Sequence, residues 1–247
     1  MQEQKKIALL IDCDNVSSTS IEGVIENLSK HGMVNIRHAH GDWNSSRLSG
    51  WMTKLHPNAI RPMQQFAYTT GKNATDSAMI IDAMDLLYAG NIDAFALMTS
   101  DSDFTPLVMR ILESGLAVYG YGEKKTPQPF VDACSIFIYS ENLIADVDEP
   151  NEIKSDLGIG KQKRKSRKEL RMDTRLVRLL CTAVEQTSDD ENWAELGSVG
   201  KHISNHSSFS PINYGYAKLG DLVRETELFK VKVKAGRGMY IKDARLD

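Results

Sequence analysis

The sequence has few cysteines and no long apolar run, and each shortage excludes a class of protein. Its three cysteines lie far apart, so they provide neither a disulfide framework nor a four-ligand zinc site; they are Cys13, Cys134 and Cys181. No stretch approaches the ~18 consecutive apolar residues of a membrane span. The opening MQEQKK lacks the pattern of a signal peptide. We therefore expect a globular protein in the cytoplasm, with no membrane partner.

The six histidines show no grouping that predicts a metal site. His202 and His206 are four residues apart and share one face of a predicted helix, but the sequence offers no third ligand beside them. The other histidines are His31, His38, His40 and His56. From the sequence we expect no histidine-bound metal.

The charge is distributed unevenly between the two parts of the chain. Residues 1–150 carry 11 basic and 19 acidic side chains, a net charge of 11 − 19 = −8, and residues 151–247 carry 19 − 14 = +5. Nine basic and two acidic residues fall between Lys161 and Arg178. This asymmetry suggests a site that concentrates cations and a surface that attracts polyanions. A solvated linker is the alternative interpretation of the basic run.

Apolar runs alternate with helical patterns in the first part of the chain. Strands are predicted over residues 7–11, 34–36, 60–63, 94–98, 116–119 and 136–139. Helices are predicted between them over residues 21–28, 47–54, 75–89 and 105–113. This alternation predicts an α/β fold over residues 1–145, a three-layer α/β/α sandwich with a mostly parallel sheet.

A charged segment and a second unit follow. Residues 146–170 have almost no periodic hydrophobicity and are predicted to be a basic linker. Residues 171–247 contain three amphipathic helical stripes and then two strands joined by the turn Ala235–Gly238. Three helices and a hairpin predict a small winged helix-turn-helix domain. In the hairpin, Phe229, Val231 and Val233 are expected to pack inward, because alternate residues of a strand share a face.

Acidic residues follow the ends of the two most apolar strands. Asp12, Asp14 and Asn15 end the first, and Asp101 and Asp103 follow the strand 94–98. Asp76 opens a helix, on the side predicted to face the sheet. In parallel sheets ligands bind at the carboxyl ends of the strands. Converging carboxylates repel one another unless a cation neutralises them, and oxygen ligands suit Mg²⁺ or Mn²⁺.

Such an ion can hold a phosphodiester and activate water. Each acid also has a structural interpretation that the sequence leaves open. Asp103 can cap the helix that contains Pro106. Asp76 can stabilise its own helix terminus, and Asp14 with Asn15 can belong to an ordinary turn.

With these motifs the sequence resembles the NYN domain, a PIN-like nuclease family. The motifs are D-x-D-N at residues 12–15, K-N-A-x-D at 72–76 and S-D-S-D-F at 100–104, and the late strand in 134–139 also fits. The resemblance covers residues 5–145 and implies a Mg²⁺- or Mn²⁺-dependent ribonuclease. It places the metal on Asp12, Asp76, Asp101 and Asp103, with Asn15 assisting. Lys72 and Ser100 would contact RNA, although many members have glycine at the position of Ser100.

The second unit resembles the OST-HTH (LOTUS) winged-helix module, which implies RNA binding and in some members a protein partner. The motifs are Y-G-Y at residues 214–216 and K-L-G-D-L at 218–222. Basic residues expected to contact phosphates lie in the linker and the wing: Lys163, Arg164, Lys165, Lys230, Lys232, Lys234 and Arg237. Tyr214 and Tyr216 either stack on unpaired bases or pack against the third helix.

Two other functions are compatible with the sequence. A non-catalytic RNA-binding adaptor would keep the acidic pocket without turning over a substrate. A haloacid-dehalogenase-like phosphohydrolase is the other, because residues 12–16 fit D-x-D-x-[TV]. In that enzyme Asp12 would be the nucleophile and Asp14 the general acid. The lysine and paired acids of the later phosphatase motifs are not evident in the sequence.

Overall fold

The structure is a computed structural model that describes residues 4–65, 74–144, 164–234 and 238–245. The chain divides into two compact units, between residues 160 and 161. Within the described ranges, no helix is both long enough and apolar enough to cross a membrane.

The first unit is built on a six-stranded sheet in the order β3-β2-β1-β4-β5-β6, and all neighbouring strands run parallel. The strands are β1 (Lys6–Asp12), β2 (Met33–Gly41), β3 (Arg61–Gln64), β4 (Ala94–Met98), β5 (Ala117–Gly122) and β6 (Ile136–Tyr139). The central strands β1 and β4 are fully buried from Ile7 to Ile11 and from Ala94 to Met98, which explains their continuous apolar runs. The predicted α/β fold with a mostly parallel sheet is confirmed.

Helices flank both faces of the sheet. They are α1 (Ile21–Ser29), α2 (Ser49–Leu55), α3 (Ala74–Ala89), α4 (Thr105–Glu113) and α5 (Gln128–Ala133). One core cluster joins Ala8 and Leu10 of β1 to Met79 and Ala83 of α3. Because side chains alternate along a strand, Asp12 projects to the same face as these two residues of β1.

The strand β2 is longer than predicted. The sequence predicted residues 34–36, whereas the strand continues through the polar segment RHAH to Gly41. Its pairing with β1 extends this far, since His38 lies opposite Leu10 and His40 lies opposite Asp12. Backbone pairing with the buried strand β1 therefore stabilises as a strand a segment whose own side-chain pattern does not predict one.

The second unit contains α7 (Thr174–Thr187), α8 (Leu196–His206), α9 (Leu219–Thr226) and the antiparallel pair β8 (Phe229–Lys234) and β9 (Gly238–Asp243). The order of its small sheet is β7-β9-β8, with β7 at Ala194–Glu195. The helical domain with its hairpin is as predicted, although the turn residues 235–237 lie outside the described residues.

A further helix, α6 (Arg167–Met172), begins inside the segment predicted to be a linker and ends two residues beyond it. A capping box explains it, because the Ser166 side chain accepts from the Glu169 N–H while the Glu169 side chain accepts from the Ser166 N–H. Leu170 then enters the core of the second unit. Residues 146–163 of the predicted linker lie outside the described residues.

The prediction that three apolar residues of β8 pack inward is wrong for two of them. Phe229 is buried, but Val231 and Val233 are 39% and 67% exposed. The strand β8 is at the edge of its sheet and pairs with β9 alone, so its outer half has less cover than a central strand.

Candidate active site

Asp12 is the buried centre of the candidate site. It ends β1 where the strand order reverses between β1 and β4, which is the usual ligand position of an open parallel sheet. Its carboxylate has no exposed surface. Oδ2 accepts from Thr99 Oγ1 at 2.7 Å and from Asn15 Nδ2 at 2.9 Å, whereas Oδ1 is a buried atom without a hydrogen-bond partner in the described structure.

The electrostatics of Asp12 favour a cation. Burial raises its pKa above the usual value, and Asp14 and Asp101 raise it further, while the hydrogen bonds from Thr99 and Asn15 act in the opposite direction. An unpaired buried carboxylate oxygen is costly. A divalent ion at Oδ1 would supply the missing partner and neutralise the surrounding charge.

Asp76 lies in the first turn of α3 and shares the electrostatic environment of Asp12. Its pKa is raised to about 6, mainly by partial burial and then by the charges of Asp12, Asp101, Asp103 and Asp14. The acids that the sequence placed at separate strand and helix ends therefore lie close enough to repel one another. Asp85, on the same helix, is exposed.

Asp101 and Asp103 follow β4 and are linked by a cap. Asp101 Oδ1 accepts from the Asp103 N–H at 2.9 Å. Asp101 is thereby the N-cap residue of the short 3-10 helix Ser102–Phe104. The Asp101 N–H in turn donates to Thr99 Oγ1 at 3.1 Å. Asp103 does not cap the helix that contains Pro106, because the cap residue of that helix is Phe104, without a side-chain bond, and the Asp101 side chain caps the preceding 3-10 helix.

Thr99 connects the two acidic segments, and sequence reasoning did not single it out. Its hydroxyl donates to Asp12 and accepts from the Asp101 N–H. A hydroxyl can donate once and accept at the same time, so one side chain fixes both strand ends. Its position directly after the apolar strand β4, beside the acids, could have identified it in the sequence as a site residue.

Other predicted site residues have partners within the protein. Ser100 Oγ accepts from the Glu123 N–H at 2.8 Å, which holds that hydroxyl toward the end of β5. Asp14 accepts from Thr75 Oγ1 at 3.1 Å. Lys72 lies outside the described residues.

The expectation that no histidines group as metal ligands is wrong. His38 Nδ1 and His40 Nε2 lie 2.8 Å and 3.0 Å from the same oxygen of Asp82, on α3. These three ligand atoms all lie within 4.8 Å of one another and could hold a metal ion. When the same limit of 4.8 Å is applied to their carboxylate oxygens, the predicted acids form no such group among the described residues.

The histidine group has a sequence signal that the short predicted strand hid. In a strand, residues i and i+2 share a face, so H-x-H places both rings on one side. Burial raises the pKa of Asp82, but the hydrogen bonds from His38 and His40 outweigh it and hold the pKa well below the usual range. Asp82 is therefore a carboxylate at neutral pH.

The predicted RNA contacts of the second unit are partly engaged in packing. Lys232 lies 5.6 Å from the centre of the Trp193 ring, and Lys165 lies 4.5 Å from that of Tyr214. Lys230 is exposed. Arg164 is 5.7 Å from the Tyr216 ring. Lys163, Arg237 and the side chain of Lys234 lie outside the described part of the chain.

Tyr216 follows the packing alternative rather than base stacking. It is 3% exposed, and its hydroxyl donates to the carbonyl of Lys165 at 2.7 Å. Tyr214 is half-buried and donates to Asp173 at 3.2 Å. Both tyrosines thus fix the start of the second unit to its helices.

Comparison with known proteins agrees with this division of the chain. A family model of the NYN domain matches residues 6–141, and a model of the OST-HTH/LOTUS domain matches residues 171–241. A crystal structure of a protein of unknown function from Vibrio parahaemolyticus is similar, with 23% identity and a TM-score of 0.46; the match covers 56% of this chain and 96% of that one. No curated protein matches the chain.

Proposed function

Because the chain belongs to the NYN domain family, we propose that it is a divalent-metal-dependent endoribonuclease whose OST-HTH/LOTUS unit holds the RNA. The observation that carries this proposal is Asp12 Oδ1, a buried carboxylate oxygen without a partner in the described structure, at the strand-order reversal. The donor set around it is made of carboxylates, which fits Mg²⁺ or Mn²⁺.

The residues of the pocket have distinct roles in this proposal. Asp12, Asp76, Asp101 and Asp103 would hold the ion, which when bound lowers the pKa of an attacking water and stabilises the leaving oxygen. Asn15 and Thr99 keep the Asp12 carboxylate in one orientation through their bonds to Oδ2, which leaves Oδ1 without a partner in the described structure. Holding reacting groups in place in this way lowers the entropic part of the barrier.

RNA binding is assigned to the second unit. The exposed Lys230 and the remaining basic residues of the wing and the preceding segment provide positive charge for the phosphate backbone. Contacts of this kind position an RNA without reading its sequence. Specificity would then depend on other groups of the same unit.

A non-catalytic RNA-binding adaptor is the second candidate. The observation in its favour is that, in the described structure, no three of the four acids have carboxylate oxygens that all lie within 4.8 Å of one another, as the ligand atoms of the histidine group do. The capping bond of Asp101 also gives that residue a structural use. An adaptor would bind RNA and would not cleave it.

The deciding experiment is cleavage of labelled single-stranded RNA with Mn²⁺. Wild type, Asp101→Asn and Asp85→Asn are purified identically. Asp85→Asn is the control, because Asp85 is an exposed acid on α3. We expect Asp101→Asn to lose at least ~100-fold in rate while Asp85→Asn retains it. Equal rates in all three would indicate a contaminating nuclease, and inert wild type that still binds RNA would favour the adaptor. A covalent phosphate trapped on Asp12 would instead favour the phosphohydrolase.

A further inference from the structure

The side chains of His38, His40 and Asp82 form a compact group outside the acids proposed for catalysis. The two rings project from alternate residues of β2, and the carboxylate reaches them from the third turn of α3. One oxygen, Asp82 Oδ2, lies 2.8 Å from His38 Nδ1 and 3.0 Å from His40 Nε2. Three ligand atoms from two elements therefore converge on one small region.

We propose that His38, His40 and Asp82 bind a divalent transition-metal ion of the zinc class. This site is separate from the carboxylate pocket, which is the proposed metal site at Asp12, Asp76, Asp101 and Asp103. Two imidazoles and one carboxylate are a ligand set of three-residue zinc sites and of other first-row ions. Mg²⁺ prefers oxygen ligands. The two neighbouring sites therefore differ in the ion that each one selects.

The burial of the group suits a site that is formed in advance and still open to an ion. His40 is 1% exposed. The side chains of His38 and Asp82 keep 15% and 14% of their surface. Held side chains lose little freedom on binding, and the exposed edge of His38 and Asp82 gives the ion an entry path.

The second ring nitrogen of His40 also fits a metal-bound state. In the hydrogen-bonded state Nε2 carries the proton that it donates to Asp82, and Nδ1 is a buried atom without a partner in the described structure. A metal on Nε2 would place the ring proton on Nδ1. Metal-bound histidines commonly donate this second N–H to a carboxylate, a backbone carbonyl or a water molecule.

The test is zinc binding by the full chain without a histidine tag, in excess Mg²⁺ so that the carboxylate pocket is occupied. The parent carries His202→Gln and His206→Gln, because those stacked rings are a competing pair of ligands. Zn²⁺ is titrated by calorimetry into this parent and into His38→Gln, Asp82→Asn and Asp101→Asn on the same background. NMR of labelled histidines reports which rings respond.

We expect one Zn²⁺ per parent chain, with shifts at His38 and His40 but not at His56. Loss of an outer-shell partner costs 10–100-fold in affinity, so loss of a direct ligand in His38→Gln or Asp82→Asn should cost at least ~100-fold. Asp101→Asn should bind as the parent does. Unchanged affinity in His38→Gln would overturn the proposal, as would loss of binding in Asp101→Asn. If Asp82→Asn does not fold, His38→Gln decides, because its ring is partly exposed.

Discussion

Replacing Asp76 by asparagine should stabilise the metal-free protein at neutral pH. The pKa of Asp76 is raised from 3.8 to about 6 by partial burial and by four neighbouring acids. The folded state therefore holds this proton more tightly than the unfolded state, and stability falls as pH rises through the interval from 3.8 to about 6. Above that interval wild type keeps the full penalty, which Asp76→Asn removes.

The size of the effect follows from the same pKa. At 1.36 kcal/mol per pH unit the rise corresponds to at most about 3 kcal/mol. Asp76 is only half-buried, and solvent screening reduces the expected gain to about 1 kcal/mol. At pH 4 Asp76 is protonated in the folded state and partly protonated in the unfolded state, so most of the gain should be lost. This dependence on pH separates charge repulsion from any change in packing.

Urea unfolding in EDTA at pH 4 and pH 7.5 measures this gain. A Trp193→Phe background leaves Trp43 and Trp51 as the tryptophans, so the fluorescence reports the first unit alone. Asp85→Asn, on the exposed side of α3, is the matched control and should show no gain. An Asp76→Asn gain that is the same at both pH values would refute the shared acidic pocket.

Three further predictions concern single positions. Thr99→Val removes the hydroxyl that donates to the buried Asp12 and should lower the free energy of unfolding by about 1–3 kcal/mol. Thr99→Ser keeps the hydroxyl and should keep most of this free energy, so equal stability of the two variants would contradict a stabilising role of the hydrogen bond. Gly23→Ala would place a methyl group against the Leu143 carbonyl and should cost about 1–3 kcal/mol, an expectation that an unchanged melting temperature would refute. Lys230→Gln should weaken binding to all RNA sequences alike and reduce the salt slope of log K by about 1; an unaltered slope would exclude a phosphate contact.

The sequence predicted the parts of the fold whose burial is complete. β4 has the bounds of its predicted strand, and β1 exceeds its prediction by one residue at each end. Strands covered on both faces must be apolar throughout, so composition alone marks them. The acids at their ends were predictable for the same reason, because a parallel sheet places its carboxyl ends at one edge.

The histidine group could not be predicted in the same way. β2 lies next to the edge strand β3, and its second half carries alternating polar residues that no apolar pattern marks. The contact with Asp82 depends on how α3 packs over β2, which is a tertiary property. The exposure of Val233 has a similar origin, since alternation shows which residues share a face but not which face is covered.

The most direct test of the central claim is the position of Mn²⁺ in crystals of the full chain, located by its anomalous scattering. The account predicts a peak bonded to Asp12 Oδ1 and to at least one oxygen of Asp76, Asp101 or Asp103. A peak bonded to none of these oxygens at saturating Mn²⁺, or no peak at all, would contradict it.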